Sequence, residues 1–101
     1  MKEYEGYRTA IGATVVVDGK ALAPRLDLSN HSPDGFEWGY GGSGPAQLAL
    51  ALCADVLHDD AKALRVHQAV KRTLVAFINT HRFVLSEQDV LDHIARAEAQ
   101  T

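Results

Sequence analysis

The sequence predicts an α+β fold: a small antiparallel sheet of three to four strands followed by three helices. Three observations carry this. β-branched and alternating segments occupy the first forty residues. An Asp18-Gly19 pair stands between two of those segments. From Pro45 onward the apolar residues recur at helical spacing. A chain of 101 residues forms one domain with one modest core. A β meander is expected over about 4–40, with helices at about 45–58, 60–79 and 86–98.

The β region begins near Tyr4. Thr14-Val-Val-Val17 is a β-branched run, and Asp18-Gly19 supplies the positive φ angles of a tight hairpin turn. Ala21 to Ala23 starts the return strand, and Pro24, which cannot donate to a ladder, marks its end. Arg25 to Leu28 alternates polar and apolar and reads as a further strand. Ser32-Pro33-Asp34-Gly35 is a turn, with Pro at its second position and Gly closing it. Phe36 to Tyr40 alternates strictly, so Phe36, Trp38 and Tyr40 are expected on one face of a strand and Glu37 and Gly39 on the other. Gly39 lets something pack close to the backbone.

Gly41-Gly42-Ser43-Gly44 is the loop into the first helix, with Ser43 or Gly44 as cap and Pro45 at the first helical position. This helix is apolar nearly all round, with Gln47, Asp55 and His58 its only polar members, so it is expected at the centre of the domain. Asp59 or Asp60 caps the second helix, in which Val66, Val70, Leu74 and Phe77 form a stripe joined by Leu64, Val75 and Ile78. Arg82 to Leu85 suits a short strand. Ser86 with Asp89 three residues on is a capping-box variant opening the last helix.

Composition narrows the function classes. A net charge of −3 argues against generic nucleic-acid binding, which calls for a strongly basic face. Cys53 is the only cysteine, so no internal disulfide forms, and its place in an apolar helix reads as a small buried hydrophobe. The N-terminal MKEYEGYR lacks the apolar segment of a secretory signal, and the Leu48–Leu57 run is too short to span a bilayer. A cytoplasmic location without membrane contact is therefore expected.

The glycine-dense segment is the strongest candidate for a site. Five of the eight glycines lie from Gly35 to Gly44, beside the only tryptophan. Amides at a helix start bind anions, which makes Gly41, Gly42, Ser43 and Gly44 an anion or nucleotide candidate with Trp38 and Tyr40 beside it. The same glycines also serve as a plain strand-to-helix connection. The loop has no Lys or Arg and no G-x-G-x-x-G fingerprint. Trp38 and Tyr40 either cover the core or anchor a partner. Lys62, Arg65, Lys71, Arg72 and Arg82 form a candidate basic patch, or a solvated helix face.

Catalytic and metal chemistry find little support. The histidines 31, 58, 67, 81 and 93 include no i, i+4 pair and no H-E-x-x-H, so no metal and no cofactor is expected. Ser43 lies in G-S-G rather than a nucleophile elbow. Catalysis would need a pocket that brings His31, Asp34 or Glu37 to Ser43, and no catalytic residue is assigned.

The run from Asn30 to Ala51, NHSPDGFEWGYGGSGPAQLALA, resembles the central signature of the DUF6166 family of small proteins from phages, plasmids and integrative elements. Tyr4-x-Gly6-x-Arg8, His67-Gln68 with Lys71, and Leu85-Ser86 extend the resemblance over nearly the whole chain. The family pattern often has Gly where His58 stands, and Trp near Phe83. The resemblance thus implies a left-handed, helix-ending backbone at His58. It assigns no activity. What it implies is an accessory role in a mobile element, by contact with a host or element-encoded protein such as a defence component. A second copy of the chain is an alternative partner.

Overall fold

A computed structural model describes residues 1–100. Its sheet has four antiparallel strands in the order β3-β2-β1-β4, formed by β1 (Glu3–Thr9), β2 (Gly12–Val17), β3 (Lys20–Ala21) and β4 (Arg82–Ser86). Three helices complete the α+β fold: α1 (Ser43–Leu57), α2 (Asp60–Thr73) and α3 (Glu87–Ala99). The fourth strand comes after the second helix, and pairs with β1 at the edge away from the hairpin.

Register decides which side chains enter the core. Gly6 stands opposite both Val15 and Phe83, and Tyr4 opposite Val17 and Leu85. These residues share the inner face, with Tyr4, Val15 and Phe83 buried. One residue along, Glu5 and Tyr7 point outward, and the outer face carries Arg82 and Val84 beside them. Asp18 and Gly19 both take positive φ, as a two-residue hairpin requires.

α1 lies against this inner face, with every residue from Gly44 to Ala54 buried. It has no polar stripe because most of its length has no solvent side: it packs on α2, on α3 and on the turn after α2, and shares one core with Tyr4, Val15, Phe83 and Leu85 of the sheet. At its far end the Tyr4 hydroxyl donates to Asp55 Oδ2 at 2.6 Å, and Lys2 Nζ donates to the same oxygen at 3.1 Å. Burial and the carboxylate raise the Tyr4 phenol above its ordinary range. Burial alone pushes the Cys53 thiol up to about 12. His58 ends α1 in the left-handed conformation, at φ 52°. Asp59 then caps α2 by accepting from the Lys62 amide, and Ser86 and Asp89 form a reciprocal capping box on α3. Among the described residues no helix is long and apolar enough to cross a membrane.

Several expectations need correction. Arg25–Leu28 is a turn, not a strand, with Arg25 at φ 57° and Leu28 donating back to the Arg25 carbonyl. Phe36–Tyr40 joins no ladder, so its alternation does not sort its side chains: Trp38 is 1% exposed and Tyr40 53%. α1 begins at Ser43 with Gly42 as N-cap, so neither Ser43 nor Gly44 caps it and Pro45 sits inside the first turn. α2 stops at Thr73 rather than 79. Leu74 leaves helical geometry at φ −120°, and a 3-10 turn follows over Val75–Phe77. That break throws Phe77 off the apolar stripe and leaves it 76% exposed; Leu64 is exposed as well.

Gly6 supplies a direct test of the packing. A Cβ there would lie 2.1 Å from the Phe83 ring. Gly6→Ala should destabilise the protein by about 1–3 kcal/mol. Phe83→Leu should recover at least half of that loss in a double-mutant cycle read by urea unfolding. Additive losses would mean that the ring is not the obstacle.

Candidate functional site

The segment from Phe36 to Gly44 is held by contacts distant in sequence. Trp38 Nε1 donates to the Thr80 carbonyl at 2.8 Å, and its ring meets Phe83 edge-on, with centroids 4.8 Å apart. The Arg8 guanidinium sits 4.5 Å from the centroid of the same ring. Arg8 also donates through Nε and Nη2 to Glu37 Oε1, at 3.2 and 2.8 Å, and through Nη2 to the Trp38 carbonyl at 3.0 Å. Its Nη1 lies 3.2 Å from His81 Nδ1. Trp38 is therefore a core residue, gripped on an edge, a face and a carbonyl. Glu37 is an ion-pair partner rather than a solvated strand residue.

The glycines answer to specific neighbours. Gly39 has φ +91°, donates to the Val75 carbonyl at 3.1 Å, and would carry a Cβ 2.9 Å from the Ile78 carbonyl oxygen. A Cβ on Gly42 would meet the Tyr40 ring at 2.4 Å, and one on Gly44 would meet Glu37 Cβ at 2.7 Å. Gly41 has no atom within reach of an added Cβ.

Two aromatics of this region reach the surface. Tyr40 lies over Gly42, with about half of its surface in solvent. Phe77 stands on the 3-10 turn that Gly39 grips by hydrogen bond. Beside Tyr40, α1 starts with no side-chain cap and no acidic residue in its first turn. The amides of Ser43 and Gly44 have no intrahelical acceptor. Tyr40 and Phe77 are thus exposed on two segments joined by the Gly39–Val75 hydrogen bond, and the uncapped start of α1 follows Tyr40 closely in the chain.

The five basic residues are not gathered into one surface. Arg82 lies on the outer face of the sheet, paired with Glu5, whereas the other four ride on α2 beyond α1. Lys62 is paired with Glu98 at 3.1 Å. Ser43 is exposed while the Glu37 carboxylate is held by Arg8, so the arrangement imagined for catalysis does not form. An open hollow of about 140 Å³ lies at the other end of α1, between Leu22, Arg25, Asp55 and His58. Its charges are already spent: Arg25 on Asp27 and Asp60, Asp55 on Tyr4 and Lys2.

One organising residue gave no signal of its role in the sequence. Gln47 is fully buried on α1, accepts from the His31 and Ser32 amides at 2.8 and 3.1 Å, and donates to the Pro24 carbonyl at 2.5 Å. It fastens the long connection between β3 and α1 near its start, at Pro24, and in its middle, at His31 and Ser32. A single polar residue in an apolar helix is the only trace such a clamp leaves in sequence.

The model described as "Family of unknown function (DUF6166)" matches residues 4–96, and the chain belongs to that family. No curated protein and no solved structure matches it.

Gln47→Leu tests the clamp. It keeps the volume and strands two buried amides, which should cost about 2–4 kcal/mol. Hydrogen exchange at His31 and Ser32 should accelerate while α1 stays protected. Unchanged exchange at both amides would show that the loop is held by something else.

Proposed function

We propose that this protein acts by contact rather than by chemistry, as a non-enzymatic accessory protein of a mobile genetic element that binds a host or element-encoded protein. The observation that carries the reading is the pair Tyr40 and Phe77. Both are exposed aromatics on segments tied together through Gly39, so they present a rigid surface that loses little entropy on binding. The free amides at the start of α1 add a place for a carboxylate of the partner. The phage, plasmid and integrative-element company of the family supports the accessory role, including inhibition of a defence component.

The test is affinity capture with the wild type, a Tyr40→Ala/Phe77→Ala double variant, and Val84→Ala on the opposite sheet face as control. A genuine partner should be lost about 10–100-fold with the double variant and kept with the control. Both variants should stay folded. Equal recovery by all three chains would defeat the reading.

A second reading has its own observation, the uncapped and acid-free first turn of α1. There the loop Gly41–Gly44 cradles a small anion such as phosphate or a nucleotide. Ser43→Asp places a carboxylate at the same amides. It should raise stability by about 0.3–1 kcal/mol and abolish any phosphate-induced rise in Tm. A wild type whose Tm does not respond to phosphate or nucleotides ends this reading.

A further inference from the structure

His31 and His67 are 36 residues apart in sequence, yet their Nε2 atoms lie 2.9 Å from each other. The ring centroids are 5.1 Å apart, close to that distance plus two ring radii, so the two nitrogens face each other head-on. His67 is only 5% exposed. Its Nδ1 lies 2.8 Å from the Leu64 carbonyl, an acceptor only, so Nδ1 carries the proton. That fixes the tautomer and leaves the Nε2 lone pair of His67 aimed at His31. The backbone that carries the other ring is anchored, because Gln47 accepts from the His31 amide and the Ser32 amide beside it. His31 itself is half-buried, so the pair has a side open to water.

We propose that His31 and His67 form a two-imidazole binding site for a divalent transition-metal ion, with zinc as the ion best suited to it. In the metal-free protein a His31 Nε2 proton fills the gap between the rings. A zinc ion takes the place of that proton, which moves through solvent to Nδ1 of the same ring, so that His31 stays a neutral imidazole and each Nε2 donates its lone pair to the metal. Zinc–nitrogen bonds of about 2.0–2.1 Å at a tetrahedral angle need the nitrogens roughly 3.3 Å apart. The rings therefore open by a few tenths of an ångström, and His31, on a loop, is the side able to move. The Nδ1–H bond from His67 to a backbone carbonyl is the outer-shell arrangement that metal-bound histidines use. Water completes the coordination, since no group of three or more His, Cys, Asp or Glu gathers among the described residues. Lys71, one turn along α2, opposes a dication and keeps the site weak. With half the protein ligands of a structural zinc centre, Kd is expected on the order of 10–100 µM.

The experiment titrates zinc chloride into the chelator-treated full chain labelled with 15N-histidine. Ring signals of His31 and His67 should move together and saturate at one zinc per chain, while those of His58, His81 and His93 stay put. At ten times Kd the Tm should rise by roughly 5–10 °C. His31→Asn, chosen over substitution of the buried His67, should keep the helical circular dichroism and weaken zinc at least 10-fold. Unmoved His31 and His67 signals at 1 mM zinc would overturn the site. So would equal zinc affinity in His31→Asn.

Discussion

The guanidinium of Arg8 over the Trp38 ring is the contact on which the arrangement around the first helix depends. Arg8 comes from β1, Trp38 from the segment before α1, and the Thr80 and His81 groups that complete the cluster from the approach to β4. One side chain thus ties together three stretches that share no secondary structure. Part of its charge is met by Glu37, and part by carbonyl and imidazole acceptors, so the cation is satisfied in a half-buried place. Removing Trp38 would strip the ring from Phe83 and expose the inner face of the sheet. Removing Arg8 would leave the Trp38 carbonyl and Glu37 without their donor. Gly6 belongs to the same cluster, because only a hydrogen there lets Phe83 lie flat beneath the tryptophan edge.

The glycine-rich loop follows from this clamp. Once Trp38 is fixed inward, the chain must reach the first turn of α1 within a few residues while Tyr40 turns outward and Glu37 points back to Arg8. Gly39 takes the positive φ that reverses the direction and brings the loop against the Val75–Ile78 backbone. Gly42 leaves room for the tyrosine ring, and Gly44 for the stem of Glu37. Three glycines that look redundant as turn residues each make way for a different neighbour.

Local chemistry was readable from the sequence, and long-range chemistry was not. Asp18-Gly19, the Asp59 cap and the capping box at Ser86 each depend on residues within a few positions, and each appears where those residues place it; the left-handed helix end at His58 is where the family resemblance implied it. The α+β class followed from the same signals. The alternation of Phe36–Tyr40 misled because alternation sorts side chains only when a neighbouring strand enforces a pleat, and here Arg8 and Thr80 supply the constraint instead. Arg25–Leu28 misled for the same reason. The end of α2 was hidden because Leu74 to Ile78 keeps a helical apolar pattern through a change of backbone geometry. His31 and His67 escaped notice because ligand spacing along a chain detects pairs on one helix, not a loop folded back on a helix.

Membership of the family sharpens where function should be sought, by subtraction. Of the signature residues, Tyr4, Gly6, Arg8, Glu37, Trp38, Gly39, Gly42, Gly44, Gln47 and Ser86 all have packing, capping or clamping duties inside the molecule. A signature dominated by such residues specifies a fold, and a fold by itself specifies no activity. Tyr40 and Gly41 are among the members of that run left exposed to solvent, with Asn30, Pro33, Asp34 and Ser43. The exposed Phe77 was produced by the break in α2, a departure from the simplest helix, and its turn is joined to the segment of Tyr40 by the Gly39–Val75 hydrogen bond. The constraint that organises the core is therefore also the one that sets the surface aromatics in place.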